Sequence, residues 1–379
     1  MHHSHFTSSG KESADMGKHS ETEGRYYMNS MFLILLTLFA SSEAWAHSGD
    51  FFINRPELFQ LRREAQISQP FSASDDCKAR IRSLICPVHG APKANQIREC
   101  GSNVDMYAPA LEAVYETLHP QMQKMFCSLQ AIIVEENNGE SLAYAGAHEN
   151  SDKTLSAVLG IRAQLLTQDH IFSDVFSWKE QKAFGVSAPP FTRLPGSPLL
   201  EARFVGSQKV LQYVIIHEFG HIFDYVNKAN DFVCKPGQTC PPEIGSEEDI
   251  KKLIPVPGSW SALSWENPIQ PATQDYFPLH ANLCFYGCNG KGLTLEQMPE
   301  FYRQLNGTHF ITTYAAVSCM EDFAESTTFH FLSQQNDFQL HITDPLTTYF
   351  LERKWETMRD KRLWIENFYS KNLKYPETK

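Results

Sequence analysis

The chain has 379 residues, and 42% of them are hydrophobic, enough to bury one large core or two modest ones. Its formal net charge is −11. No block of like charge stands out, which argues against a nucleic-acid-binding surface, and no internal repeat is present.

Residues 1–27 are rich in His, Ser and charge and read as a leader or a mis-set start, with translation beginning near Met28. Met31 to Ala40 (MFLILLTLFA) is apolar but too short to span a bilayer. Ala44-Trp45-Ala46 then supplies a small-x-small cleavage signal before His47, so the stretch reads as a secretory signal peptide. The expectation is an exported protein, secreted or periplasmic, whose mature chain starts near His47 and keeps no stable membrane span. All nine cysteines follow Ala46. An oxidising compartment makes disulfides the expectation, and sequence-local pairing gives Cys77–Cys86, Cys234–Cys240 and Cys284–Cys288. The odd count leaves one cysteine unpaired or paired between chains.

Residues 47–104 are loop-rich, and the wider region 47–128 reads as a helical, disulfide-tied N-terminal part, a candidate prosegment. Met106 to Leu118 reads as a helix closed by His119-Pro120, and a second helical stretch runs to about Leu129. Ala131 to Val134 is β-branched and reads as a strand, followed by the turn signal Asn137-Asn138-Gly139. Ser141 to Ala147 and Thr154 to Leu166 read as further strands, Ser173 to Phe184 as a short helix, and Phe184 to Pro198 as a loop. Thr154 to Gly160 is the candidate for pairing with an extended substrate by strand addition, with an ordinary core strand as the alternative.

Val210 to Val226 (VLQYVIIHEFGHIFDYV) is apolar nearly all round, the pattern of a buried helix. Ser207 is a plausible N-cap and Asn227 or Asn230 a plausible stop. His217 and His221, four apart, share one helical face and can hold one Zn²⁺, while Glu218 lies beside them, where it can take a proton from a water. This is the His-Glu-x-x-His signature of zinc metallopeptidases. A chance match usually falls in a polar stretch. Here the polar trio sits in an apolar helix, where a metal would remove the cost of burying it. Several strands followed by such a helix imply an α+β fold, with the helix packed on a small mixed sheet.

Lys228 to about Gly292 is irregular, proline-rich and carries four cysteines, and reads as an insertion on the active-site side. Leu293 to Leu305 resumes helical periodicity, and Tyr349 to Tyr369 reads as an amphipathic packing helix in a mainly helical C-terminal part. Zinc catalysis needs three protein ligands and an open position. The metzincin solution would require glycine at position 224 and histidine at 227, where this chain has Asp224 and Asn227. The other solution is a later glutamate. Glu321 and Glu325, four apart, share a helical face, so one can bind metal while the other accepts a hydrogen bond from a ligand histidine. The rival reading is a capping box, Ser318-x-x-Glu321, with Glu321 turned to the backbone and Asp322 and Glu325 exposed.

His217-Glu-Phe-Gly-His221, followed by Asp224, together with Tyr314-x₆-Glu321-x-Phe-Ala-Glu325, resembles the catalytic domain of the lethal-factor-like zinc metallopeptidases, which are gluzincins. The resemblance covers at most residues 206–333. It implies a zincin-like metallopeptidase domain over residues 129–379, after a leader and signal peptide at 1–46 and the N-terminal region at 47–128, with the cysteine-rich insertion at about 228–292. It also implies Glu321 as third ligand, Glu218 as general base, Tyr314 as an oxyanion donor, and Glu325 and Asp224 as carboxylates behind the ligands. The expected function is an exported zinc endopeptidase acting on proteins or peptides, with one Zn²⁺ per chain. The alternatives are a non-catalytic binding or toxin-like module stapled by zinc, and a non-peptidase zinc hydrolase; an intact Glu218 and a candidate Tyr314 favour an enzyme over the stapled module.

Overall fold

The structure, a computed structural model, describes residues 77–88, 100–136, 141–149, 154–186, 201–207, 209–239, 246–285, 292–335, 337–344 and 346–377. The signal peptide, the leader, the Asn137-Asn138-Gly139 turn and most of the Phe184–Pro198 loop lie outside these residues. So do Cys240 and Cys288. All described residues belong to one unit, Glu43–Lys379.

A four-stranded sheet underlies the fold. Its strands are β1 (Ile85–Val88), β2 (Ala131–Glu135), β3 (Ala143–Glu149) and β4 (Leu155–Arg162), in the order β1-β2-β4-β3. β1, β2 and β4 run parallel, and β3 is antiparallel to β4. Every residue of β2 (AIIVE) is buried, as expected of a β-branched run covered on both faces. Helices α1 (Cys77–Leu84), α2 (Ala108–Thr117) and α3 (Pro120–Ser128) precede and cross over to β2. His119 supplies the N-cap of α3, its Nδ1 accepting from the Gln121 N–H, with Pro120 at the first helical position. Residues of α1 to α3 share one apolar core with the rest of the chain, Phe126 meeting Phe219 edge to face at 5.8 Å.

β4 is an interior strand, flanked by β2 and β3, so Thr154 to Gly160 has no free edge for an added strand. Among the described residues the edges of this sheet are β1 and β3. β4 also ends earlier than expected. Ala163–Thr167 (AQLLT) turns into the short helix α4, because its apolar side chains pack at helical rather than alternating spacing. The helix α5 (Phe172–Lys182) follows.

A second, three-stranded antiparallel sheet, in the order β11-β10-β5, joins β5 (Glu201–Val205), β10 (Gln339–Thr343) and β11 (Thr348–Phe350). Two serines of α5 close one edge of it. The Ala202 N–H donates to Ser177 Oγ at 2.8 Å and the Phe204 N–H to Ser173 Oγ at 2.9 Å.

The apolar run forms α6, Val210–Asn227, buried over nearly its whole length. Its N-cap is Lys209, with no side-chain bond to the first turn; Ser207 instead donates its backbone N–H to Asp337 Oδ2 at 2.9 Å. A helix already fixed by burial on all sides does not need the cap. At the other end Lys228 takes the left-handed conformation (φ 53°), which stops the helix.

The irregular segment contains two small hairpins, β6 (Phe232–Cys234) with β7 (Leu253–Pro255) and β8 (Trp265–Asn267) with β9 (Gln270–Pro271), and the short helix α7 (Glu247–Ile250). After it come α8 (Met298–Asn306), α9 (Cys319–Ser333) and then β10 and β11. The last stretch is broken in two. Residues Thr348–Phe350 pair as β11, and Met358 (φ −78°, ψ 58°) separates α10 (Leu351–Thr357) from α11 (Arg359–Tyr369).

The chain is therefore α+β, and no helix among the described residues is long and apolar enough to cross a membrane. The expected Cys77–Cys86 bond does not form, since Cys77 pairs with Cys127 and Cys86 with Cys100. Cys77 opens α1 and Cys86 lies beyond its end, so the helix holds them roughly 12 Å apart, outside disulfide reach. Cys234 and Cys284 are also disulfide-bonded, and Cys319 is a buried thiol.

Candidate metal centre

The centre lies between α6 and α9. Gly220 makes this possible. A Cβ placed there would lie 2.8 Å from Ala324 Cα, so only glycine lets the two helix backbones come this close. The approach carries Glu321 to the two histidines. His217 Nε2 is 3.2 Å from His221 Nε2 and 3.1 Å from Glu321 Oε2, and His221 Nε2 is 3.4 Å from the same oxygen. All three residues are buried, and their donor atoms lie within 4.8 Å of one another. A tetrahedral ion with ligands at about 2.0–2.1 Å sets neighbouring donors roughly 3.3–3.4 Å apart, so the group can hold a metal ion. Lone pairs converging this closely repel unless a proton or a cation stands between them.

The electrostatics point the same way. Burial lowers the His217 pKa, but the carboxylates of Glu321 and Glu325 beside it outweigh burial and raise the pKa to about 10. Burial likewise raises Glu321, yet the charges of His221 and His217 and their hydrogen bonds bring it down to about 2. The centre thus stabilises positive charge among its donors, which a bound cation would supply in place of the proton.

Behind His217 stands Glu325, fully buried. His217 Nδ1 lies 2.9 Å from Glu325 Oε1, close enough for charge pairing though too oblique for a well-formed hydrogen bond. Three donors not singled out in the sequence also meet this carboxylate. Tyr213 Oη donates to Oε1 at 2.6 Å, while Thr312 Oγ1 and Lys179 Nζ donate to Oε2 at 2.7 Å each. Tyr213 stands one turn before His217 on the same helical face, a spacing that could have flagged it. Lys179 comes from α5, and no local spacing connects it to the motif.

Glu321 takes part in the cap through its backbone and faces the histidines with its side chain. Ser318 does cap α9, its Oγ accepting from the Glu321 N–H at 3.3 Å, while the Glu321 carboxylate turns to the histidines. Asp322 and Glu325 are buried rather than exposed. Asp322 faces away from the centre, receiving Lys361 Nζ at 2.6 and 2.7 Å and the indole N–H groups of Trp260 and Trp265 at 3.1 and 3.0 Å. Asp224 holds the backbone N–H and the side-chain amide of Asn230, both at 2.7 Å, and influences His221 through charge.

Glu218 is buried beside His217 and His221. One of its oxygens receives the backbone N–H of Ala145 on β3, and Oε2 has no partner among the described residues. Burial raises its pKa, against the charges of His217 and His221. Tyr314 is half-buried and stacks on His217 at 5.8 Å between ring centroids. Phe285, from the irregular segment, packs on its other side at 4.8 Å. The structure therefore brings His217, Glu218, His221, Tyr314, Glu321 and Glu325 to one place, with Asp224 at its margin. No family model matches the chain, and no curated protein or solved structure shows significant similarity to it.

Proposed function

We propose that the protein is an exported zinc-dependent endopeptidase of gluzincin type, with a zincin-like arrangement in which α6 packs on the four-stranded sheet and α9 packs on α6. The observation that carries this reading is the convergence of His217, His221 and Glu321 from two helices, with a buried carboxylate, Glu218, one residue after the first ligand. Two imidazoles and one carboxylate suit zinc, and three protein ligands leave a position for substrate. Zinc in such a site polarises a carbonyl and makes a water acidic near neutral pH.

The chain's own residues supply the rest. Glu218 Oε2, without a partner among the described residues, is placed to take a proton from the attacking water and to return it to the leaving amine. Its raised pKa suits a group that must both accept and release a proton near neutrality. The Tyr314 hydroxyl is a candidate donor to the oxyanion, its ring held between His217 and Phe285. An extended peptide would lie along the free edge of β3, whose Ala145 N–H already reaches Glu218. The paired cysteines agree with an oxidising compartment. A merely stapling metal would have no use for Glu218 placed this way.

The test is cleavage of a peptide library followed by mass spectrometry, with zinc content measured in the same samples. Wild-type protein is expected to bind one zinc and cut peptides. Glu218→Gln is expected to keep the zinc and lose about 10²–10⁴-fold in kcat. Equal cleavage by the two proteins at matched zinc content would overturn the peptidase reading.

A further inference from the structure

Glu325 is a buried carboxylate whose side chain is 0% exposed, and a carboxylate in that position needs a paired charge. The paired charge is Lys179, whose side chain is only 13% exposed. Its Nζ reaches Glu325 Oε2 and the Tyr213 hydroxyl at 2.7 Å each. The ammonium also stands 5.2 Å from the centre of the Tyr314 ring and 5.1 Å from that of Tyr213. Lys179 thus borders both the carboxylate behind His217 and the aromatic ring stacked on it.

The helix that carries Lys179 is itself anchored. The next residue, Glu180, is fully buried and receives Tyr302 Oη and Thr313 Oγ1 at 2.7 Å each. Thr313 lies between Thr312, which bonds Glu325, and Tyr314. Two consecutive residues of α5 therefore pin the carboxylate on one side and the Tyr314 loop on the other. Without the ammonium, Oε2 would keep only the Thr312 hydroxyl, and the Tyr213 hydroxyl that donates to Oε1, the oxygen facing His217 Nδ1, would lose the Lys179 donor that directs its proton there.

We propose that Lys179 is a positioning residue for the metal. By holding Glu325 Oε2 and the Tyr213 hydroxyl that donates to Oε1, it sets the oxygen that faces His217 Nδ1, and so the ring orientation that presents Nε2 to the cation. The inference rests on the metal reading given above. It assigns Lys179 no contact with substrate. Carboxylates behind a ligand histidine typically govern 10–100-fold in metal affinity, and Lys179 should govern a similar share through Glu325.

The test is the dissociation constant of Zn²⁺, measured by competition with a chromogenic chelator. The proteins are the wild type, Lys179→Met, Lys179→Arg, Glu325→Gln and the Lys179→Met/Glu325→Gln double variant, with unfolding of each metal-free protein followed alongside. Lys179→Met is expected to weaken zinc binding by about 10–100-fold. Lys179→Arg is expected to recover part of that loss. The double variant is expected to bind zinc no more weakly than Glu325→Gln alone, because the two residues act as one unit. A folded Lys179→Met protein with wild-type zinc affinity would overturn the inference and leave the metal reading standing. So would a double variant whose loss is the product of the two single losses, since Lys179 would then act independently of Glu325. A wild-type chain that binds no zinc would overturn the metal reading, and this inference with it.

Discussion

Gly220→Ala tests whether helix proximity builds the metal centre. The added Cβ would meet Ala324 Cα at 2.8 Å and Ala324 Cβ at 3.2 Å, where carbon atoms normally rest about 3.5–4.0 Å apart. One of the contacting atoms is backbone, so no side chain can swing away. The helices α6 and α9 must part by roughly 0.5–1 Å to restore ordinary contact. Two terms oppose each other in the stability. Replacing glycine in a helix interior gains about 1 kcal/mol, and overpacking a tight core costs about 1–3 kcal/mol. The net expectation is a loss of about 0–2 kcal/mol, or up to a few degrees in Tm. The metal feels the shift more directly. His217 and His221 ride on one helix and Glu321 on the other, and their separations of 3.1 and 3.4 Å open with the helices. About 1.4 kcal/mol of strain transferred to the ligands is tenfold in affinity, so zinc binding should weaken by at least about tenfold. Thermal unfolding with and without zinc, together with chelator competition, measures both quantities. A Gly220→Ala protein as stable as the wild type and equal to it in zinc affinity would show that this close approach does not set the donor geometry.

The part of this architecture legible in the sequence is the part whose signal is local. Two histidines four apart in an apolar run define α6, and Glu321 and Glu325 share a face for the same geometric reason. The β-branched Ala131–Val134 run gives β2, since strand preference and two-sided burial agree there. What stayed hidden depends on distant partners. β5 (EARFV) has charged residues at two exposed positions and becomes a strand by pairing with β10, far along the chain. Whether β4 is interior or edge is likewise a matter of sheet order, which no residue of β4 encodes. Cys77 finds Cys127 rather than Cys86 because a rigid helix intervenes.

The centre divides along the same line. The three residues that could hold a metal follow from spacing, but the charge balance behind them does not. Lys179 reaches Glu325 because α5 packs beside α6, and its neighbour Glu180 is anchored by Tyr302 and Thr313 from later in the chain. A lysine followed by a glutamate in an ordinary amphipathic helix reads as solvated charge, and only tertiary packing turns it inward. Asp322 carries the same lesson. It adjoins Glu321, yet its partners are Lys361, Trp260 and Trp265, so adjacent acids on α9 serve opposite sides of the helix.

Glu321→Ala should abolish tight zinc binding, whereas Asp322→Asn should retain it at the cost of stability, because Asp322 pairs with Lys361 rather than with the centre; elemental analysis of the two folded variants decides, and the reverse order would disprove the ligand assignment. His330 is kept neutral by burial, its pKa lowered from 6.5 to about 4. The folded state therefore binds fewer protons than the unfolded state between those values, and stability falls as pH drops through that window. His330→Gln should remove about 1 kcal/mol of the decline between pH 7 and pH 5, after a discount for the ring's partial exposure, while leaving stability above pH 7 little changed on that account; an undiminished acid-side slope in denaturant unfolding would refute this. The disulfides separate stability from the metal centre. Cys77–Cys127 closes a segment of 50 residues and Cys86–Cys100 one of 14. By loop-closure entropy the first is worth about 4 kcal/mol and the second about 3 kcal/mol. Neither bridge touches His217, His221 or Glu321. Replacing either pair with serine should therefore lower the unfolding free energy, the longer loop more, and leave the zinc dissociation constant of the folded protein within about twofold. Denaturant unfolding and chelator competition on the same preparations make the comparison. Zinc affinity that falls in step with stability would mean that the α1–α3 region and the α6–α9 interface are mechanically coupled, and that the centre is not held by its own helices.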